Sequence, residues 1–230
     1  MNNISSENLI QMFRYIAEAI ETEKDRLCEL DGIIGDGDHG IAMSVGMSAV
    51  TVALDAVDSK ITVPTEIFNL AAKSFLNAVG ASSGPLYATG FIRAGACIRG
   101  KTVLERDEMV AIIDNIAQGI RERGKGELGE KTMLDAWLPA AAACKDAASN
   151  DEDLSGCLRA AVKAAVAGAE ETKGMLASKG RASRLGERAI GQVDPGAVSA
   201  VVILKAIARF DVAERDGRGI RDEPLGHVFN

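Results

Sequence analysis

From Leu9 to about Val212 the apolar residues recur every three or four positions, the period of an α-helix, and no stretch alternates as a half-buried strand would. Leu9, Ile10, Phe13, Ile16, Ala17 and Ile20 make the first such stripe, with Ser5 or Ser6 as its natural N-cap. Further helices are expected at about Ile41–Val57, from Pro64 onward, at Leu86–Ile98, Glu105–Arg123, Thr132–Ala148 and Leu154–Ala177, and from Asp194-Pro-Gly196 to about Val212. Pro139 is expected to kink the sixth. Eight helices with short connections favour antiparallel neighbours, in an all-α bundle or helical barrel. The composition agrees, because aromatic residues are only 4% of the chain and alanine is abundant. Residues 1–213 read as one domain, and Glu214–Asn230 as a charged tail, mobile or weakly docked.

Several functions are disfavoured at this level. A net charge of −7 argues against non-specific nucleic-acid binding, which needs a basic footprint. No apolar run is long enough to span a membrane, and the start of the chain has no signal-peptide pattern. Cys28, Cys97, Cys144 and Cys157 form no C-x-x-C pair and are not spaced with His39 or His227 as zinc ligands. They read as reduced cysteines of a cytoplasmic protein.

Chemistry concentrates in the breaks between helices. Leu30-Asp-Gly-Ile-Ile-Gly-Asp-Gly-Asp-His-Gly40 gathers Asp31, Asp36 and Asp38 among glycines. Like charges at about 4 Å repel by about 1 kcal/mol in water and by more inside a protein. Three carboxylates in one tight loop therefore point to a cation, and their hard oxygens to Mg²⁺, Ca²⁺ or Mn²⁺ rather than zinc. The rival reading is a turn in which Asp38 caps the next helix. An EF-hand is excluded, since Met47 stands where its closing glutamate belongs.

Other loops are less specific alone. Gly124-Lys-Gly-Glu-Leu-Gly129 matches G-x-G-x-x-G but follows a helix instead of a strand, so a glycine-terminated helix explains it better. Gly129-Glu-Lys-Thr132 is not a P-loop, because Glu130 precedes the lysine. Gly80-Ala-Ser-Ser-Gly-Pro85 suits an anion at a helix start or simple serine capping. Lys179, Arg181, Arg184 and Arg188 form a basic island, either a solvated charge run or a phosphate or partner contact.

Taken in order, Gly35-Asp-Gly-Asp-His-Gly40, Ala81-Ser-Ser-Gly-Pro85, Gly129-Glu-Lys-Thr-Met133, Lys179-Gly-Arg-Ala-Ser183, Leu185-Gly-Glu-Arg188 and Asp194-Pro-Gly-Ala197 resemble the nucleotide-binding L subunit of dihydroxyacetone kinase. The resemblance implies an eight-helix antiparallel up-and-down barrel with a nucleotide site in the loops at one end. It implies that Asp31, Asp36 and Asp38 hold two Mg²⁺ ions against the phosphates of ADP or ATP. His39, Gly40, Ile41 and Ala42 would start a helix under the phosphates, and Ser82 and Ser83 would contact them. Gly124 and Met133 would line the adenine side, and Arg181 with Asp194, Pro195 and Gly196 would close over the nucleotide. His39 and Arg181 are the catalytic candidates, His39 orienting phosphate or the incoming hydroxyl. The family commonly has asparagine where this chain has Ala42, so only backbone roles carry over there.

The function so implied is transfer of the γ-phosphoryl group to dihydroxyacetone or another short ketose bound on a separate K subunit. The donor is either exchangeable ATP or ADP recharged by a phosphohistidine M subunit in a phosphoenolpyruvate relay. The alternative is an ADP-loaded regulatory protein that docks a transcription regulator. Oligomeric state is left open, a homodimer included.

Overall fold

The computed structural model describes residues 3–216, with side chains as far as Asp211. Its eight α-helices are α1 (Ser6–Ile34), α2 (His39–Asp55), α3 (Pro64–Ala78), α4 (Ser83–Cys97), α5 (Arg106–Gly124), α6 (Leu134–Ser149), α7 (Leu154–Glu171) and α8 (Pro195–Asp216). Two 3-10 segments, Thr172–Gly174 and Ala182–Ala189, lie between α7 and α8. Among the described residues the only β-pairing is a single bridge between Ile4 and Leu104. Each helix packs on the next, and α8 returns to α1, which closes the ring. The eight-helix up-and-down arrangement expected above is the one found. From 217 onward the charged tail lies outside the described residues. No described helix is long and apolar enough to cross a membrane.

The helix starts follow from local chemistry. Ser5 Oγ accepts the Asn8 N–H at 3.2 Å while Asn8 Oδ1 accepts the Ser5 N–H at 3.1 Å, a reciprocal cap on α1. Pro64 opens α3, and Asp153 accepts the Gly156 N–H at the start of α7 at 2.8 Å. Helix α1 runs on to Ile34, so Asp31 sits in its last turn. Helix α6 continues through Pro139. The Asp135 carbonyl, deprived there of its usual i+4 donor, faces Gly168, where a Cβ would lie 1.9 Å away, so α7 can approach only at a glycine. Helix α7 stops at Glu171 rather than Ala177, because the Thr172 carbonyl and hydroxyl are engaged by Lys131 and by the Asp194 N–H.

The scarce aromatics share one core. Phe13, Phe68, Phe75, Tyr87, Phe91 and Trp137, from α1, α3, α4 and α6, pack edge-on or tilted, with Phe13 5.6 Å from both Phe68 and Phe91. Helix α8 is buried on every face from Ala197 to Leu204, so small and branched residues fill it and the usual polar stripe is missing. Because successive helices alternate in direction, the α1–α2, α3–α4, α5–α6 and α7–α8 loops all emerge at the same end of the ring.

Candidate functional site

Those four loops enclose a cavity of about 520 Å³. Its first wall is the junction of α1 and α2. Asp31 Oδ2 accepts the backbone N–H groups of Asp38 (3.0 Å) and His39 (3.3 Å), so the carboxylate ending α1 caps the start of α2. Gly35 permits this, since a Cβ there would fall 2.1 Å from Asp31 Oδ1, and Gly37 turns the chain at φ +78°. Asp38 occupies the N-cap position but makes no side-chain cap bond, which leaves its carboxylate for other work.

The carboxylates of Asp31, Asp36 and Asp38 offer oxygens that all lie within 4.8 Å of one another. One cation attends them: Arg181 hydrogen-bonds Asp36 Oδ1 and lies 3.5 Å from Asp38 Oδ1. Three negative charges against one positive leave a local excess of two. Burial, reinforced by the neighbouring Asp36 charge, pushes the Asp38 carboxyl above its ordinary value even though Arg181 opposes the shift. An all-oxygen donor set with surplus charge, half open to solvent, fits a hard divalent ion.

His39 stands beside this cluster. Its Nε2 lies 2.9 Å from Ser199 Oγ, and the Ser199 hydroxyl gives its proton to the Gly196 carbonyl at 2.9 Å. With that proton so placed, the imidazole donates from Nε2–H, which leaves the lone pair on Nδ1. Burial pulls the His39 pKa below its ordinary value against the opposing pull of Asp31, which favours the neutral ring. Tyr87, held by Trp137 and Ser199 with its hydroxyl pushed up to about 12 by burial, backs the same serine.

The opposite wall is set by Asp135. Its two oxygens accept the Gly129 N–H at 2.6 Å and the Thr132 N–H at 2.7 Å, shaping the turn that carries Lys131, Thr132 and Met133 into the cavity. Asp194 caps α8 through the Ala197 N–H at 2.7 Å, and burial raises its carboxyl to about 7. Gly124, Gly126, Leu86, Ile120 and Leu134 line a narrow apolar slot. A Cβ at Gly126 would lie 2.7 Å from Leu134 Cδ1, and one at Gly124 would lie 3.0 Å from Leu86 Cδ2. A flat ring suits such a slot.

Residues 33–209 match the DAK2 domain family. The chain belongs to that family. Over 191 residues it is 44% identical to the ADP-binding subunit DhaL of PEP-dependent dihydroxyacetone kinase 2 from Listeria innocua, covering 82% of this chain and 87% of the relative. The corresponding Escherichia coli subunit is 35% identical over 90% of this chain and 97% of its own length. A crystal structure of the dihydroxyacetone kinase from C. freundii, in complex with AMP-PNP and Mg²⁺, superposes with a TM-score of 0.66 at 26% identity. It covers 87% of this chain, which spans 33% of that longer one. The relatives are kinase subunits, and this DAK2 chain shares their fold.

Within the DAK2 domain, Asp31, Asp38, His39, Ala42, Ser82, Ser83, Gly124, Met133, Arg181, Asp194, Pro195 and Gly196 line the cavity. Asp36 joins them through Arg181. Gly40 and Ile41 are not among the lining residues. Gly40 is where α2 crosses α1, a Cβ there lying 2.0 Å from the Lys24 carbonyl, and the Ile41 side chain is 54% exposed. Ser82 makes no cap bond to α4. Lys179 and Arg181 of the basic island reach the cavity, whereas Arg184 and Arg188 lie exposed on the second 3-10 segment. Helix α5 ends at Gly124, the glycine-terminated helix expected above, and Lys125 beyond it takes the left-handed position at φ 48°. Sequence reasoning missed Asp135 and Lys131. Lys131 stood inside the Gly129-Glu-Lys-Thr-Met133 stretch quoted for the resemblance and Asp135 two residues beyond it, but neither was given a role.

Proposed function

We propose that this chain binds ADP or ATP with Mg²⁺ in the loop-end cavity and passes the γ-phosphoryl group to a short ketose carried by a separate K subunit. The observation that carries the reading is the joining, in one cavity, of a three-carboxylate cluster and a glycine-lined apolar slot. The names of the relatives support it, including an L-erythrulose 1-kinase from Mycolicibacterium smegmatis, which keeps a tetrulose open as acceptor. Relatives named PEP-dependent favour retained ADP, recharged by a phosphohistidine M subunit, over exchangeable ATP. The free cysteines are in keeping with the cytoplasm.

Asp31, Asp36 and Asp38 would hold the divalent ions, two in this reading, whose chemistry when bound is to neutralise phosphate charge. Arg181 would then turn from Asp36 to a phosphate oxygen, which a guanidinium can grip in bidentate fashion. The Nδ1 lone pair of His39 would orient the incoming hydroxyl, its ring direction fixed by Ser199. The α8 start at Asp194-Pro195-Gly196 and the Ser82–Ser83 turn bring helix-start amides to the cavity. Ala42 offers backbone only.

Calorimetry with ADP, with and without Mg²⁺, on protein first stripped of retained nucleotide tests the reading. Binding that requires Mg²⁺ and is lost in the Asp36→Ala, Asp38→Ala double variant is expected; unchanged binding by the variant would end the metal assignment. Mass spectrometry of gently desalted protein is expected to find ADP retained, and its absence would favour exchangeable ATP.

A further inference from the structure

Lys131 combines two costly features at one position. Its side chain is 1% exposed, and its backbone takes φ +59°, a conformation that residues with a Cβ rarely adopt. A buried ammonium needs compensation, and burial pulls its pKa down against the opposing pull of Asp194 and Asp135. Such concentrated strain and desolvation persist only where the surroundings enforce them.

The ammonium touches no carboxylate within hydrogen-bond reach. It donates instead to the Thr172 and Gln192 backbone carbonyls, which belong to two separate segments. The first is the turn ending α7. The second leads into the α8 cap. They are tied to each other by the Asp194 N–H on Thr172 Oγ1 at 2.9 Å and the Gly191 N–H on the Lys173 carbonyl at 2.7 Å. Lys131 itself rides on the 129–133 turn that Asp135 shapes. One amine thus joins three segments, and two of them present Met133, Asp194, Pro195 and Gly196 to the cavity. Gly196 packs directly on that turn, a Cβ there lying 3.4 Å from Met133 Cβ.

We infer that Lys131 is a positioning residue for the nucleotide: its ammonium clips the Met133 turn to the Asp194-Pro195-Gly196 cap and fixes the width of the cavity between them. This rests on the nucleotide reading of the cavity given above. Without the clip the wall samples wider separations, and binding must supply the ordering that the lysine now provides.

The test is calorimetry of the full chain with ADP and Mg²⁺, comparing wild type with Lys131→Met, which keeps the volume but removes the donors, and Lys131→Gln, which keeps a neutral donor. A folded Lys131→Met variant is expected to bind about tenfold more weakly or worse, at unchanged stoichiometry, with Lys131→Gln between it and wild type. Amide hydrogen exchange at Gly191 and Asp194 should quicken in step, while the barrel core keeps its protection. A residue needed only for folding would instead lower the stoichiometry at unchanged affinity, and that result overturns the inference. Wild-type affinity in both variants does the same. If Lys131→Met does not fold, Lys131→Gln decides alone, by weaker or unchanged affinity. Failure of wild type, stripped of retained nucleotide beforehand, to bind refutes the nucleotide reading, a separate outcome.

Discussion

Asp31 and its two companions share a charge cluster but not a structural duty. Asp31 holds the start of α2 through two backbone N–H groups, whereas Asp36 meets the exposed Arg181 and Asp38 makes no cap bond. Asp31→Ala should therefore lower stability by about 1 kcal/mol, about 2–4 °C in Tm for a chain of this size, in addition to weakening Mg-dependent binding. Asp36→Ala and Asp38→Ala should lose the binding with Tm unchanged or raised, because removing one of three like charges relieves repulsion and an exposed ion pair contributes about 0–1 kcal/mol. Thermal melting of the three variants separates the roles; equal Tm losses would refute the division. Asp194 gives a second residue-scale prediction. Its carboxyl titrates at about 7 in the fold against about 3.9 unfolded. Between these values the folded chain keeps a proton that the unfolded chain has released. Its contribution therefore reduces stability as pH rises from about 4 to 7, by about 1.4 kcal/mol per pH unit, and levels off above 7. Asp194→Asn, whose amide oxygen can still cap Ala197, should remove that slope. Urea unfolding of both proteins at pH 5, 6 and 7 should show the variant gaining on wild type; parallel curves would exclude the shift.

Helix contacts explain what could and could not be read from the chain. The eight helices were legible because burial on one face imposes the 3.6-residue period, and their starts because Ser5, Pro64, Asp153 and Asp194 are local signals. The α1 extension to Ile34 was not, since the last turn is held by tertiary partners: Asp31 by the α2 amides and Cys28 by its packing on Gly40. The 3-10 segment at Ala182–Ala189 escaped for a similar reason, Ser183, Arg184, Gly186 and Arg188 leaving no apolar period to follow. The carboxylate cluster was legible because three charges within eight residues are conspicuous, whereas Lys131 acts on carbonyls distant in sequence and Asp135 on the amides of an irregular turn that has no period to follow. Gly40 shows how an element-level constraint can pass for a ligand contact. A methyl group there would sit 2.0 Å from the Lys24 carbonyl and 2.9 Å from Cys28 Sγ. Gly40→Ala should push α2 off α1, destabilise the chain by about 1–3 kcal/mol, and displace Asp38 and His39 with it. Denaturant unfolding and nucleotide affinity should fall together; a stable variant with weakened binding would instead make Gly40 a direct ligand contact.

At the scale of the whole molecule, every group assigned to phosphate or metal lies in four loops at one end of the ring, with Asp36 and Arg181 at its exposed edge, their side chains 41% and 53% accessible. Ligand linkage should be visible across the fold, because the cavity joins the α1–α2, α3–α4, α5–α6 and α7–α8 connections. At one hundred times its Kd, Mg-ADP should add about 2.7 kcal/mol, about 5–10 °C in Tm, and the Asp36→Ala, Asp38→Ala pair should abolish the shift. The same geometry bears on turnover. In the proposed reading a phosphoryl group held between the carboxylates and Arg181 would sit at the exposed edge of the cavity, open to an acceptor carried by a separate subunit. With ATP, Mg²⁺ and dihydroxyacetone the chain alone should show no turnover above the uncatalysed rate. Adding a ketose-binding K subunit should raise the rate hyperbolically with its concentration, and Arg181→Ala should lower the plateau while shifting the half-saturating concentration little. The steady-state assay that measures this also contains its refutation: substantial phosphorylation by the chain alone would place the sugar site within this barrel.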